Sequence, residues 1–184
     1  MARHSDPDVE ERILQAARKL WHKGGERALN MRAVAKAAGT NTPAVYRRFR
    51  NREDILRALV SYYQRETFKV FQHCRSLEEL GQAYIDFVLR HPREYLLMNS
   101  GLLGRVSKDR PNLDFVIAQS SKWLGGAPGE HAPLVFALWA MAHGTAMLKV
   151  SGSVLEEDFP RLRAAYTRAI DVLVANENKL RSQN

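Results

Sequence analysis

The chain has 184 residues, 45% of them hydrophobic, enough to bury a core and too apolar for a disordered segment. One cysteine, Cys74, excludes a disulfide framework and a cysteine-paired zinc site, and the polar start Met1-Ala2-Arg3-His4-Ser5 has no signal-peptide core, so a soluble cytoplasmic protein is expected. The net charge is +8, and residues 1–60 hold 13 Lys+Arg against 7 Asp+Glu, a local basic field that fits nucleic acid, a membrane surface or a solvated face.

No strand-like alternation persists, and helical spacing recurs throughout. Asp6 is placed to cap a first helix, with Pro7 at its first position and Val9, Ile13, Ala16 and Leu20 as its apolar stripe, and Gly24-Gly25 should end it. Asn30 should cap a short helix from Met31 to Ala38, stopped by Gly39. A third helix of barely two turns follows, with Pro43 near its start and Val45, Tyr46 and Phe49 as its large apolar residues. Asn51 should cap a long fourth helix, with Asp54 in a short variant of a capping box and Ile55, Leu59, Tyr63, Val70 and Cys74 along one side.

The remainder reads as a helical bundle. Ser76-Leu77-Glu78-Glu79 opens a helix to about Leu89, His91-Pro92 breaks the chain, and a short helix runs from Arg93 to about Ser100. A looser stretch covers 101–112, and a helix runs from Leu113 to Leu124. Gly125-Gly126-Ala127-Pro128-Gly129 is a linker. The helix over Ala132–Val150 is interrupted by His143 and Lys149, short of the roughly 20 apolar residues of a membrane span. A last helix runs from about Asp158 to Asn176, and a polar tail follows. The expectation is an all-α chain of about nine helices: an N-terminal three-helix bundle with a helix-turn-helix, then a C-terminal helical bundle.

The segment from Asn30 to Phe49 places two short helices around a tight turn at Gly39. Val34, Ala35, Ala38, Val45 and Phe49 would pack them together, and the small Ala35 and Ala38 allow close approach. The outer face of the second helix is then Asn41, Thr42, Pro43, Ala44, Arg47 and Arg48, short, polar and basic, as a major groove requires. Asn41 or Thr42 at its start can cap it and reach a phosphate. Tyr46 fits either a phosphate contact or a core aromatic, and Arg47, Arg48 and Arg50 either DNA contacts or a solvated face.

Arg12 to Leu59 resembles the DNA-binding domain of the TetR (tetracycline-repressor) family. That family's Ile-Ala-x-x-Ala-Gly-Val-Ser, Leu-Tyr-x-His-Phe and Asn-Lys-Glu-Glu-Leu segments read here Val34-Ala35-Lys36-Ala37-Ala38-Gly39-Thr40-Asn41, Val45-Tyr46-Arg47-Arg48-Phe49 and Asn51-Arg52-Glu53-Asp54-Ile55. The resemblance implies phosphate contacts at Asn30, Tyr46 and Arg52, with Arg32 beside them, and base-facing positions at Thr42, Pro43, Ala44 and Arg47. Asn41, Thr40 and Arg48 depart from the commoner serine, valine and histidine or tyrosine.

Further along, Trp139-Ala140-Met141-Ala142-His143-Gly144 is similar to the Trp-x-x-x-His-Gly signature of one TetR C-terminal subgroup, and His91-Pro92-Arg93-Glu94-Tyr95 to its His-Pro-x-x-Tyr segment. The resemblance implies residues 1–56 as a DNA-binding domain and 57–184 as a ligand-binding and dimerisation domain. It also implies a homodimer on double-stranded DNA, repression, and a small, apolar or aromatic effector. The interface would come from the last two helices, with Leu162, Ala165, Ala169 and Val172 as a stripe dominated by small residues. Phe87, Tyr95, Met98, Phe115, Trp123, Trp139, Met141 and Met147 could line a pocket or fill an ordinary core, and His143 could hydrogen-bond a ligand or be a satisfied core histidine.

No Gly-rich phosphate loop, paired-histidine metal helix or nucleophile elbow is present, so neither an enzyme, a metal nor a cofactor is expected. A helical adaptor with a basic end is the rival reading.

Overall fold

The computed structural model describes residues 7–99, 110–127 and 129–180, all helical or turn. Nine α-helices occur among them: α1 Pro7–Ala28, α2 Met31–Ala37, α3 Thr42–Tyr46, α4 Arg52–Gln72, α5 Leu77–Arg90, α6 Pro92–Asn99, α7 Pro111–Leu124, α8 Ala132–Val150 and α9 Phe159–Ala175, followed by a 3-10 turn at Glu177–Lys179. The expected cap Asp6, residues 101–109 of the looser stretch, Pro128 and the end of the tail lie outside the described residues.

The helix boundaries follow from local chemistry. Asn30 Oδ1 accepts from Ala33 N–H, Asn41 Oδ1 from Ala44 N–H and Asn51 Oδ1 from Asp54 N–H, at 2.9, 2.9 and 3.0 Å, so each cap satisfies a donor that the first turn leaves unpaired. At α4 the Asp54 carboxylate reaches back to Arg50 N–H at 3.0 Å, and at α5 Glu79 does the same to Arg75 N–H at 2.8 Å. Helix α2 stops because Gly39 takes φ +64, which lets Thr40 N–H reach Ala35 O and Gly39 N–H reach Lys36 O. Gly152, at φ +71, closes α8 in the same way. Helix α1 is broken at Gly25 (φ 57, ψ −139), so its last residues form a separate turn. Helix α7 starts two residues before the expected Leu113, with Pro111 near its N-terminus, where a fixed φ costs nothing.

The described residues form two compact units, one of residues up to 65 with 93–99, the other of 66–92 with those from 110 on. In the first, Ile13, Ala17 and Trp21 of α1 are buried with Val34 and Ala35 of α2, Val45 of α3 and Ile55, Leu56 and Leu59 of α4. The α1 face is thus centred one residue beyond the expected stripe, whose Val9 and Leu20 are only half-buried. Glu94 of α6 is buried in this unit, its Oε1 3.1 Å from His22 Nδ1, while Arg93 donates to the His22 carbonyl.

In the second unit α5 lies along α8, and α7 and α9 pack against α8 as well. Phe71, Val116 and Val135 form a core cluster with Leu80, Tyr84, Leu113, Phe115 and Ile117 against it. A polar strip joins α5 and α9: Gln82 accepts from Arg163 and donates to Thr167, and Arg163 pairs with Asp86 at 2.8 Å. His131 is buried between the Glu177 carboxylate on Nδ1 and the Gly125 carbonyl on Nε2. By length and composition α8 could cross a membrane, since its 19 residues reach a mean hydropathy of 1.3. That corrects the expectation that it falls short: His143 and Lys149 interrupt the run without lowering its average enough. Helix α8 packs on three helices of the second unit, with a third of its apolar window buried.

Candidate nucleic-acid interface

The site starts from the geometry of α2 and α3. Val34, Ala35, Ala38, Val45 and Phe49 are all buried, so the two short helices are fixed by their apolar faces and the remainder points out. Asn30, Arg32, Asn41, Pro43, Tyr46 and Arg47 are exposed and Thr42 is partly so. Tyr46 is 53% exposed, which removes the core-aromatic alternative for it. Asn41 spends its side-chain oxygen on the α3 cap and keeps its amide hydrogens available.

Ala44 is a correction. It is 7% exposed and so lies inside, not on the base-facing surface expected of it. The expectation treated α3 as if only Val45 and Phe49 turned inward. Helix α3 packs along α2, and the small Ala44 turns inward with Val45.

The arginine run 47–52 divides in two. Arg48 lies 3.8 Å from Glu10, and Arg52 pairs with Glu26 at 2.8 Å, so both turn toward α1. Arg47 and Arg50 are exposed and meet no acidic group among the described residues, and the same holds for Arg32 and Lys36 on α2. Lys36 is an addition that the sequence reading did not single out; its signal was its place one residue past Ala35, on the side opposite the packed face.

The residues expected to line a pocket separate. Tyr95 is buried and Met98 half-buried in the first unit. Phe87 is buried in the second, where Phe115, Trp123, Met141, His143 and Met147 are half-buried and Trp139 is 43% exposed. Neither unit gathers the whole set. Two of them do meet: Trp139 Nε1 donates to Tyr84 Oη at 3.3 Å, and that oxygen lies 3.4 Å from His143 Nδ1. Phe115 packs edge-on against Phe68, with ring centroids 5.0 Å apart. Tyr84 was missed because nothing local distinguishes it from other apolar-face residues of α5. No group of three or more His, Cys, Asp and Glu able to hold a metal occurs among the described residues.

Of the stripe on α9, Ala165 and Val172 are exposed while Leu162 and Ala169 are half-buried. Phe136 and Leu148 on α8 are also exposed, at 40% and 42%.

Comparison with known proteins gives two family matches. Residues 13–59 match bacterial regulatory proteins of the tetR family, and residues 77–173 match a tetracyclin repressor-like C-terminal domain. A search of curated proteins returns no match. Among solved structures, a protein of unknown function from Rhodococcus sp. RHA1 is similar at TM-score 0.69 and 20% identity, covering 92% of this chain and 97% of that one. A TetR variant from Acinetobacter baumannii AYE, in complex with minocycline, is similar at 0.63 and 19%, covering 93% and 97%. TetR from the same organism gives 0.61 and 17%, with the same coverage. At these identities the solved structures speak for the fold. The family rests on the sequence matches, one of which spans more than half of the chain, and on that ground the protein belongs to the TetR family of helix-turn-helix, DNA-binding transcriptional regulators.

Proposed function

We propose that the chain is a ligand-responsive repressor that binds a palindromic operator as a homodimer and releases it when a small apolar or aromatic effector binds. Residues 1–56 read DNA and residues 57–184 carry the effector and dimer functions. The observation that carries the reading is the exposed face of α3, where Tyr46 and Arg47 project at the end of a helix whose start is capped by Asn41. Tyr46, Arg52 and Asn30 hold phosphates, and Arg47 and Thr42 face bases.

A two-fold assembly follows from size. A helix of five residues reads few bases, and two copies read two half-sites. Helices α8 and α9 pack together and leave Phe136, Leu148, Ala165 and Val172 exposed, an apolar surface that a monomer would leave in water. The effector is assigned to the second unit near Tyr84, Trp139 and His143, where aromatic surface stands beside polar atoms. A relative in fold binds minocycline, a multi-ring molecule. The effector must bind the DNA-released state more tightly than the DNA-bound one, and coupling of about 1–3 kcal/mol is ordinary for such switches.

Selection of bound sequences from a random DNA pool tests this directly. A palindrome with half-sites one helical turn apart (about 34–36 Å), or a multiple of it, is the expected outcome. Enrichment of an unsymmetrical sequence would reject the dimeric operator, and no enrichment would favour the adaptor reading.

A further inference from the structure

We infer that Glu26 is an internal competitor for DNA phosphate: it occupies the guanidinium of Arg52 and thereby weakens this chain's grip on any duplex. The inference rests on the DNA-binding reading and assigns a residue that tunes the same site.

The geometry at Arg52 is specific. Its Nη2 lies 2.8 Å from Glu26 Oε1 and donates to the Glu26 carbonyl at 3.4 Å. One nitrogen is therefore engaged by a single residue, through its carboxylate as an ion pair and through its carbonyl as a hydrogen bond. A guanidinium grips a phosphate bidentately either end-on, through both terminal nitrogens, or side-on, through Nε and Nη2. Both forks use Nη2. The Arg52 Nε is itself buried, so the side-on route is closed as the residue stands. Without Nη2 and Nε neither bidentate fork can form, and Nη1 alone cannot replace one.

The backbone places the competitor. Gly25 takes φ 57 and breaks α1 there, so the chain turns and presents Glu26's carboxylate and carbonyl to the same nitrogen. Arg52 stands at the first turn of α4, where N–H groups and the helix dipole already favour an anion. An external phosphate at this helix start would meet a resident carboxylate, 59% exposed, that repels it and holds the cation. Arg47 and Arg50, with no acidic partner among the described residues, carry the phosphate and base contacts at full strength.

Because phosphate gripping ignores sequence, a random-sequence duplex is the probe, titrated against the full chain at several salt concentrations. Glu26→Gln should bind it roughly three- to tenfold more tightly at about 0.1 M salt, with the salt slope steeper by about one, as one more phosphate contact requires. Arg52→Gln should itself lower affinity, and adding Glu26→Gln to it should gain no more than a small fraction of the single-variant effect. An equal gain in both backgrounds would mean simple charge repulsion and overturn the competition; so would unchanged or weaker binding by Glu26→Gln, which would make Glu26 a support for Arg52. Thermal unfolding of each variant excludes a folding defect as the cause. Arg47→Ala distinguishes the two levels: if wild type and Arg47→Ala bind the duplex equally and without salt dependence, the DNA reading fails and this inference with it. If Arg47→Ala binds weakly while Glu26→Gln is silent, only the competition fails.

Discussion

The Tyr166 hydroxyl fills the space beside Gly81: a Cβ at Gly81 would lie 2.0 Å from that oxygen and 2.9 Å from the ring carbon bearing it. The pair sets how closely α5 and α9 approach, since Tyr166 is buried and its rigid ring has nowhere to retreat. Gly81→Ala should therefore destabilise the chain by about 1–3 kcal/mol, the usual range for overpacking, and denaturant unfolding reads the loss. Tyr166→Phe in the same background should restore part of it, because the oxygen is the closest atom.

His131 lies between two oxygens, the Glu177 carboxylate at Nδ1 and the Gly125 carbonyl at Nε2. His131→Ala removes that partner from a buried carboxylate. A loss of about 3 kcal/mol is expected from breaking a buried pair, visible as an earlier unfolding midpoint. Glu177→Gln keeps an acceptor in place and should cost clearly less.

Alkaline stability should depend on Tyr63. Burial pushes its phenol up to about 12 from 10.0, Glu94 adds to the shift, and Arg18 opposes it. A raised folded-state value means that the contribution is complete below pH 10 and fades as pH rises toward about 12. Unfolding free energy measured across that window should fall less steeply in Tyr63→Phe than in wild type. An identical fall would show that Tyr63 is not the group responsible.

Asn41 has two tasks that substitution separates. Asn41→Ala should cost about 1 kcal/mol through the lost cap of α3 and weaken DNA binding as well. Asn41→Ser retains a capping oxygen and should recover stability, so any remaining DNA defect reports on the amide hydrogens.

The division of the arginine run gives a further test. Arg47→Ala and Arg50→Ala should each lower affinity for a random duplex and flatten the salt dependence by about one per contact. Arg48→Ala, facing Glu10 at 3.8 Å, should have a smaller effect on DNA. A larger loss at Arg48 than at Arg47 would reverse this ranking.

Helix starts at Asn30, Asn41, Asn51 and Ser76 were legible because a cap acts within three residues, and the stop at Gly39 because positive φ is a property of the residue itself. The inward turn of Ala44 was not, since hydrophobic spacing over a five-residue helix leaves the width of its buried arc undefined. The tethering of Arg48 to Glu10 and Arg52 to Glu26 was hidden for another reason: the partners are far apart in sequence, and local periodicity carries no record of them. The meeting of Tyr84 with Trp139 and His143 joins α5 to α8 and was invisible on the same ground.

Helix α6 carries Glu94 into the compact unit that holds the reading face, through His22 on α1. That unit is consequently discontinuous along the gene. A fragment ending at residue 65 would lose the carboxylate that His22 faces and the donor that Arg93 gives to the His22 carbonyl. Anyone grafting this head onto another regulator's body should carry residues 93–99 with it, because the seam that looks natural in the sequence cuts through a packed surface.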